Sequence, residues 1–263
     1  WWTQRADMPG TVRNAATGFS VGSKGYVTTG YNPDQKYLSD TWEYNPETNS
    51  WRQMDDFKGG ARYYAIGFGI DNYGYVGTGY NDNYLKDFYR FDPTATAGSQ
   101  WTIVNGFGGQ KRQGGTAFVI DGKAYVCGGQ NNNSDVSDFW CFDPSAATPW
   151  TQLRDIANTS DDDYDDDYTS IVRSYGVSFV IDGKAYLTLG STAGGSYYSN
   201  YWIYDPATDL WEGDDLTAFE GSTRIHAVCF STGTRGIVAT GGSGSSSYFD
   251  DTWELKPYEY EEE

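Results

Sequence analysis

The sequence predicts an all-β fold of five repeated units, because one spacing of residues recurs along the chain. The octapeptide FVIDGKAY stands at residues 118–125 and again at residues 179–186. Around both copies an Arg lies six residues before the Phe, and a Gly lies seventeen residues after the Arg. The same frame occurs five times: Arg13, Phe19 and Gly30; Arg62, Phe68 and Gly79; Arg112, Phe118 and Gly129; Arg173, Phe179 and Gly190; Arg224, Phe230 and Gly241. Such a repeat predicts a chain of equivalent structural units.

The second half of each unit is also repeated. An Asp or Asn follows the Gly by eight to ten residues, an aromatic residue comes two positions later, and a proline four positions after that. A Trp lies five to eight residues beyond each of the first four prolines. Units of about fifty residues with four short apolar segments are typical of propeller blades. The Asp or Asn residues are Asp40, Asp87, Asp138, Asn200 and Asp251, and the closing tryptophans are Trp51, Trp101, Trp150 and Trp211.

We therefore predict a single domain, residues 1–257, that folds as a β-propeller of five four-stranded blades. The fifth unit lacks its closing Trp, but Trp2 lies eleven residues before Arg13, as Trp51 does before Arg62. Residues 1–5 are expected to supply the last outer strand and close the ring, which removes open sheet edges. Residues 258–263 form an acidic tail. The blades are predicted over residues 13–51, 62–101, 112–150, 173–211 and 224–257.

Composition excludes several classes of function. Acidic residues outnumber Lys plus Arg by 36 to 18, for a net charge of −18, so a nucleic-acid partner, which needs a basic surface, is not expected. No stretch approaches 18 consecutive apolar residues, so membrane insertion is not expected either. Cys127, Cys141 and Cys229 cannot form a complete disulfide framework, and a free thiol on a strand is the commoner case for each.

The repeated pattern resembles kelch repeats over nearly the whole chain. Residues 124–129 (AYVCGG) and 200–206 (NYWIYDP) match that pattern most closely, and the kelch double glycine is present as Gly128-Gly129. In the other units the first glycine is replaced by Thr29, Thr78, Leu189 or Thr240. The resemblance implies a propeller like the central domain of galactose oxidase. The copper site of such oxidases needs two histidines, and His226 is the only one in this chain, so no cofactor is expected.

One face of the propeller is predicted to be rich in loops. In antiparallel blades, the connections between strands two and three lie on the same face as those between blades, and here they are rich in Tyr, Asn, Ser and Asp. Such residues suit recognition of sugars or of protein partners, and they are equally ordinary turn formers. The candidate binding residues are Tyr31, Asn32, Tyr80, Asn81, Gln130, Asn131, Tyr197, Tyr198 and Tyr248.

The five repeated arginines admit two interpretations. Each begins an innermost strand, so Arg13, Arg62, Arg112, Arg173 and Arg224 could ring the mouth of the central channel and capture a carboxylate in bidentate fashion. The kelch resemblance implies the same, since in some members arginines at the matching position contact acidic ligands. Alternatively, each Arg pairs with an acid of a neighbouring blade or a backbone carbonyl and holds the blades in register.

Other polar groups give weaker signals. Asp161, Asp163 and Asp165 lie in an acidic excursion and are candidate Ca²⁺ ligands, although clustered acids are more often a solvated loop. His226, the residue that a Ser-His-Asp or Cys-His arrangement would have to use, is expected to be packed within an inner-strand segment. The kelch-type sialic acid mutarotases imply that an enzyme without metal is conceivable on this fold.

The expected function is recognition without catalysis. The predicted partner is a glycan or a protein bound on the loop-rich face. The alternatives are an enzyme that acts on acidic sugars, of mutarotase or epimerase type, at an arginine-lined channel mouth, and a structural repeat module of a cell-surface assembly. The acidic, Tyr- and Asn-rich chain resembles secreted or surface kelch proteins, and this resemblance implies an extracellular or cell-surface location as part of a larger surface protein.

Overall fold

A computed structural model describes residues 3–213, 218–244 and 246–257. Among these residues regular structure is almost entirely β, with one short 3-10 helix, and the fold is the predicted five-bladed β-propeller. No helix in the described part is long and apolar enough to cross a bilayer. The chain divides into two compact units, Trp1–Gln113 with Ser145–Trp150, and Gly114–Pro144 with Thr151–Glu263.

The first unit contains the first two blades. Blade 1 is a sheet of order β1-β2-β5-β6 with a small hairpin, β3-β4, and blade 2 is a sheet of order β7-β8-β9-β10. The strands are β1 (Thr17–Val21), β2 (Lys24–Thr28), β3 (Tyr31–Asn32), β4 (Lys36–Tyr37), β5 (Thr41–Asn45), β6 (Ser50–Gln53), β7 (Ile66–Ile70), β8 (Tyr73–Gly77), β9 (Phe88–Phe91) and β10 (Trp101–Val104).

Blade 3 comprises β11 (Thr116–Ile120), β12 (Lys123–Cys127), β15 (Trp140–Phe142) and β16 (Trp150–Gln152), with the hairpin β13 (Gln130–Asn131) and β14 (Ser134–Asp135). The 3-10 helix, Asp163–Asp165, follows it. Blade 4 comprises β17 (Val177–Ile181), β18 (Lys184–Thr188), β19 (Tyr201–Asp205) and β20 (Leu210–Glu212). Blade 5 comprises β21 (Val228–Ser231), β22 (Gly236–Ala239) and β25 (Thr252–Leu255), with the hairpin β23 (Gly242–Ser243) and β24 (Ser247–Tyr248).

The two copies of FVIDGKAY form the same hairpin, as predicted. In the first copy Phe118 lies opposite Tyr125, and in the second Phe179 lies opposite Tyr186. The rings of each pair stack, with centroids 5.4 Å and 5.8 Å apart. Both turns are Asp-Gly pairs in which the two residues have positive φ, the conformation of a type I′ turn that matches the twist of the flanking strands. Blades 1 and 2 repeat the pairing as Phe19 with Tyr26 and Phe68 with Tyr75.

Aromatic side chains form the core where two blades pack face to face. In the first unit Phe19 of blade 1 meets Phe91 and Trp101 of blade 2, with ring centroids 5.9 Å and 6.4 Å away. In the second unit Phe118 of blade 3 meets Tyr204 and Trp211 of blade 4 at 5.9 Å and 6.3 Å. Burying a large aromatic side chain is worth about 1.5–3 kcal/mol, so each repeated Phe contributes substantially to blade packing.

The predicted closing strand lies mostly outside the described residues. Trp1 and Trp2 are among the residues not described, and residues 3–5 are not in a strand. The described part of blade 5 is a sheet of three strands. The next segment keeps the predicted register: the Trp51 indole donates to the Ala6 carbonyl at 2.8 Å, as the Trp101 indole donates to the Asp55 carbonyl at 3.0 Å. Ala6 is thus equivalent to Asp55, four residues after Trp51. The predicted tail, residues 258–263, also lies outside the described residues.

Strand β7 approaches blade 1 so closely that a side chain at Gly69 would collide with its backbone. A Cβ atom there would lie 2.0 Å from the Ser20 carbonyl oxygen, whereas at Gly18 the nearest atom would be 3.4 Å away. We expect Gly69→Ala to lower the free energy of unfolding by about 1–3 kcal/mol, because the sheets must separate. Gly18→Ala is the matched control, and chemical denaturation of both variants is the measurement. Equal stabilities for the two variants would contradict the close approach.

Candidate functional site

The repeated arginines are buried within their own blades. Arg62 is 1 % exposed, and Arg112, Arg173 and Arg224 are fully buried. In all five blades the Nε–H donates to the carbonyl two residues earlier, for example from Arg13 to Thr11 at 2.9 Å. In blades 1, 2, 4 and 5 the Nη1 group donates to the carbonyl sixteen residues later: Thr29, Thr78, Leu189 and Thr240.

Arg13, Arg62 and Arg224 form bidentate ion pairs with the repeated Asp of the same blade. Arg13 donates to both oxygens of Asp40 at 2.7 Å and 2.6 Å, and Arg62 to both oxygens of Asp87 at 2.6 Å and 3.0 Å. Arg224 binds Asp251 in the same way. These hydrogen bonds, with a further one from Trp253, lower the pKa of Asp251 to about 2. The acid belongs to the arginine's own blade, not to a neighbouring one.

The arginine backbone carries the link to the preceding blade. The Gly30 N–H donates to the Arg62 carbonyl at 2.8 Å, and Gly79 donates to Arg112 at 2.8 Å. In the second unit Gly129 donates to Arg173 and Gly190 to Arg224, at 2.8 Å and 2.9 Å. These four arginines therefore bind their own blade through the side chain and the previous blade through the carbonyl.

The residue before each repeated Gly explains the departures from the kelch double glycine. Thr29, Thr78, Leu189 and Thr240 have φ between 59° and 63°, close to the 63° of Gly128. This left-handed conformation costs a residue with a Cβ about 1–2 kcal/mol. The carbonyls of these four residues are the ones that accept from arginine Nη1, so the conformation serves the arginine.

Blade 4 replaces the carboxylate with an amide. Arg173 donates to four backbone carbonyls and to Asn200 Oδ1 at 3.2 Å. Burial, without a carboxylate among its described hydrogen-bond partners, lowers the pKa of Arg173 to about 10. Ser170 compensates in part: its hydroxyl accepts from Asn200 Nδ2 at 2.6 Å and from Trp202 at 3.2 Å. In blades 1 and 5 the carboxylate itself accepts from the corresponding Trp.

These contacts favour the interpretation in which the arginines hold the fold. The alternative needs exposed guanidinium groups that form a positive patch at a channel mouth, and four of the five side chains are at most 1 % exposed. The donors of Arg13, Arg62, Arg173 and Arg224 are directed to acceptors of their own blades. We therefore do not include the arginines in the proposed binding site.

A cluster of tyrosines lies on the loop-rich side of the first unit. Tyr31 and Tyr80, both predicted site residues, belong to it. The ring of Tyr63 lies at its centre, 5.5 Å from Tyr31, 5.8 Å from Tyr80 and 5.7 Å from Tyr37, with which it stacks. All members are partly exposed. The tyrosine cluster consists of Tyr31, Tyr37, Tyr63, Tyr64, Tyr80 and Tyr84.

Backbone pairing positions the cluster. Tyr63 directly follows Arg62 and forms a bridge with Tyr80, which forms another with Tyr84. Tyr31 and Tyr37 face each other across the hairpin β3-β4. The Tyr37 hydroxyl donates to Asp82 Oδ1 at 2.7 Å, and this hydrogen bond to a carboxylate raises the pKa of Tyr37. The Tyr64 N–H also donates to the Ala15 carbonyl of blade 1 at 3.0 Å. The cluster is thus assembled by strand ends and held by hydrogen bonds between blades.

Sequence reasoning missed Tyr37, Tyr63, Tyr64 and Tyr84. The predicted residues Tyr31 and Tyr80 lie in the connections between strands two and three, which also contain Tyr37 and Tyr84. In blades 1, 2, 4 and 5 the residue just after the arginine meets those connections, because it forms a bridge to the residue after the repeated Gly, as Asn14 does with Tyr31. The pair Tyr63-Tyr64 after Arg62 was therefore the available signal.

Asn32 and Asn81 lie beside the cluster but serve the loops. Asn32 is 6 % exposed; its side chain donates to the Val12 carbonyl at 2.8 Å and accepts from the backbone of Asp34 at 2.9 Å. Asn81 donates its N–H to the Asn83 carbonyl at 3.1 Å. For Asn32 this is the role of a turn former.

The predicted residues of the second unit have separate environments. Gln130 donates to the Tyr175 hydroxyl at 2.7 Å, and Tyr197 accepts from the Gly244 N–H at 2.9 Å. The Arg173 guanidinium carbon lies 4.7 Å from the centroid of the Tyr198 ring. Tyr248 is 80 % exposed, and Asn131 is a partly exposed residue of the hairpin β13-β14.

His226 is exposed, contrary to the expectation that it is packed in a strand. It precedes β21 and has a φ of 59°, the left-handed conformation shared by the second residue after every repeated arginine. Tyr175 occupies the equivalent position in blade 4, and the two rings meet edge to face at 4.7 Å. The segments that precede the inner strands of blades 4 and 5 thus contact each other, and His226 lies outside the core.

The acidic excursion is organised by one of its own carboxylates. Asp165 is buried and accepts from the backbone of Thr159 and Ser160 at 2.9 Å each and from the Ser160 hydroxyl at 3.0 Å. Across the described part of the chain, no three His, Cys, Asp or Glu side chains are grouped so that they could hold a metal ion. Asp161 and Asp163 remain loop residues without a defined site.

The repeated Asp/Asn position provides a pair of opposite substitutions. Asp87→Asn should lower the free energy of unfolding by about 1.5–3 kcal/mol, because Arg62 loses hydrogen bonds to a charged acceptor. Asn200→Asp should raise it, because Arg173 gains a counter-charge. Denaturant unfolding measures both, and Asp34→Asn on an exposed turn is the control. A stabilising Asp87→Asn would contradict the structural role of the pair.

The Arg224–Asp251 pair predicts a pH dependence. The pKa of Asp251 falls from 3.8 to about 2 on folding, so the folded state favours the ionised carboxylate. The stabilisation is complete above pH 3.8 and is lost as the pH falls towards 2. Unfolding of the wild-type protein and Asp251→Asn across this range should show a stability difference that narrows on acidification. A stability difference that stays constant across this pH range would show that the ion pair is not its cause.

Comparison with known proteins agrees with this architecture. The family model described as the KLHDC2/KLHL20/DRC7 Kelch-repeats domain matches residues 20–162, which is more than half of the chain. No curated protein matches the sequence at a significant level. The solved structure titled "Structure of YjhT" is similar in fold, with a TM-score of 0.77 at 16 % identity over 96 % of this chain and 84 % of that one. The chain belongs to the kelch-repeat family of β-propellers.

Proposed function

We propose that the protein is a recognition module that binds a glycan through the tyrosine cluster of its first unit. The observation that carries the proposal is the grouping of six partly exposed tyrosines, contributed by two blades, on the side where the loops lie. Binding residues are commonly displayed on loops that a rigid scaffold positions. Membership of the kelch family supports a binding or recognition role in general.

The chemistry of the cluster suits sugars. A tyrosine ring offers a flat apolar face for the C–H side of a pyranose, and its hydroxyl can donate and accept hydrogen bonds. The exposed Asp82 adds a carboxylate beside Tyr37, which can accept from sugar hydroxyls. A net charge of −18 disfavours polyanionic ligands, so a neutral glycan is the better match.

The cluster is also preorganised. Tyr63 contacts four other rings, and Tyr37 is held by Asp82, so few side-chain rotations have to be fixed on binding. Rigid aromatic side chains give contact area at a small entropic cost. A protein partner could use the same surface, and the experiment below separates the two.

The alternative of an enzyme acting on acidic sugars depended on an arginine-lined mouth. With these guanidinium groups buried in pairs inside the blades, that alternative loses its supporting feature. An extracellular or cell-surface location belongs to the proposal because glycan ligands are abundant there.

The test is a glycan-array screen followed by calorimetry on the best neutral oligosaccharide. We expect Tyr63→Ala and Tyr84→Ala each to weaken binding at least about tenfold, which corresponds to roughly 1.4 kcal/mol. Tyr73→Ala is the matched control, because Tyr73 is a partly exposed tyrosine in the β7-β8 hairpin and packs against Arg90. Unfolding curves check that each variant is folded.

Two results would overturn the proposal. One is binding that survives both cluster substitutions, which would move the site elsewhere on the protein. The other is a failure to bind any glycan while a protein ligand binds and is lost in Tyr63→Ala, which would make the cluster a protein-docking surface.

A further inference from the structure

The centre of the tyrosine cluster has a counterpart in the second unit that is built from serines. Tyr63, the residue after the repeated arginine of blade 2, forms a bridge with Tyr80. Ser174, the residue after the repeated arginine of blade 4, forms the same bridge with Ser191. Two phenol rings of the first unit are thus replaced by two short hydroxyl side chains, at positions where the serines are 1 % and 7 % exposed.

The Ser174 hydroxyl is buried without a hydrogen-bond partner among the residues that the structure describes. A buried hydroxyl that is not hydrogen-bonded lowers stability, so alanine would suit the fold better at this position. Buried polar groups are usually paired, and one that the protein itself leaves without a partner is a candidate for pairing with a ligand.

Gln130 and Tyr175 add further hydrogen-bonding groups beside Ser174. Gln130 follows Gly129, whose N–H donates to the Arg173 carbonyl at 2.8 Å, and Tyr175 follows Ser174 in the chain. The Gln130 Nε2 group donates to the Tyr175 hydroxyl at 2.7 Å, which links blade 3 to blade 4. An amide carries an acceptor as well as donors, and a phenol that accepts can also donate. These groups can therefore bind a ligand that both donates and accepts.

The Tyr175 ring is fixed by close packing on two sides. A Cβ atom added at Gly114 would lie 2.3 Å from this ring, so the backbone of blade 3 approaches it closely. His226 of blade 5 meets the ring edge to face, with centroids 4.7 Å apart. Tyr175 is nevertheless partly exposed. A fixed ring beside amide and hydroxyl groups offers one apolar surface and several hydrogen bonds, which is the combination that suits a sugar ring.

We propose that Gln130, Ser174 and Tyr175 form a second binding site, located in the second unit, for a single neutral sugar residue. One sugar hydroxyl pairs with Ser174 Oγ, and the C–H groups of the sugar lie on the Tyr175 ring. Because Ser174 is almost fully buried, the Gln130 side chain turns away from Tyr175 and binds the sugar instead. Asp135 is exposed and lies opposite Gln130 in the hairpin β13-β14, which disfavours an anionic ligand.

The choice of a sugar rests on the proposed function, whereas the residues are independent of the tyrosine cluster. The test is an NMR titration with the methyl β-glycosides of glucose, galactose and N-acetylglucosamine. They are titrated into Tyr63→Ala, so that the binding that remains reports the second unit. At least one probe should bind weakly. Adding Ser174→Ala or Tyr175→Phe to this variant should weaken that binding roughly fivefold each, as expected for one lost hydrogen bond.

Stability measurements separate binding from a structural role. Ser174→Ala should unfold at the same denaturant concentration as its parent or at a higher one, because the hydroxyl has no partner in the described protein. Thr78→Val is the matched control in the same background, since it removes another such hydroxyl from the first unit and should leave the sugar affinity unchanged. A loss of stability in Ser174→Ala would overturn the proposal, because the hydroxyl would then serve the fold.

Failure of all three probes to bind Tyr63→Ala would also overturn the proposal, as would binding that Ser174→Ala leaves unchanged. The two sites fail separately. Ser174→Ala alone should not alter the oligosaccharide affinity of the tyrosine cluster. If no oligosaccharide binds that cluster while the wild-type protein and Tyr63→Ala bind the probes equally, the proposed function fails and the second site stands.

Discussion

The fold depends on one buried cation in each blade. Removing a guanidinium group from water is expensive unless its donors are satisfied. Here the acceptors are carbonyls before the strand, a carbonyl sixteen residues later and, in blades 1, 2 and 5, a carboxylate. One side chain thereby ties together the start of the first strand, the end of the second and the start of the third. In blades 2 to 5 the backbone carbonyl of the same residue binds the preceding blade, so the arginine specifies both the blade and its attachment.

Around this centre the blades differ in what they can display. The inner arginine and the aromatic packing occupy the interior of each blade, which leaves the strand ends and hairpins free to vary. In the first unit those ends carry the tyrosine cluster, and in the second they carry a mixture of Gln, Ser, Tyr, Ile, His and Gly at equivalent places. A scaffold with fixed interior contacts can thus present different chemistry on each blade, which is why the fold itself does not identify the ligand.

Much of the architecture could be predicted because the residues that recur in the repeat are the ones that the fold requires. Arg13 to Gly30 keeps its seventeen-residue spacing since a hairpin of fixed register separates the two, and Phe19 faces Tyr26 for the same reason. Two of the six residues of the tyrosine cluster could be predicted. Tyr31 and Tyr80 lie in recognisable connections, but Tyr63 joins them through a bridge between strand ends, a contact that spacing alone does not show. For the arginines the sequence leaves two interpretations open, because a residue at the start of an inner strand can face either the channel or its own blade.

The exchange of Asp for Asn in blade 4 bears on how such a chain can evolve by duplication. Asn200 is accompanied by Ser170, which lies before the arginine of that blade and takes over a hydrogen bond that a carboxylate accepts elsewhere. A copied segment that began after Ser170 would carry the amide without its compensating hydroxyl. Recombination that preserves stability would therefore have to cut upstream of Ser170, in the connection between blades. The unit of duplication would then run from that connection to the closing Trp and would be longer than the four-stranded sheet.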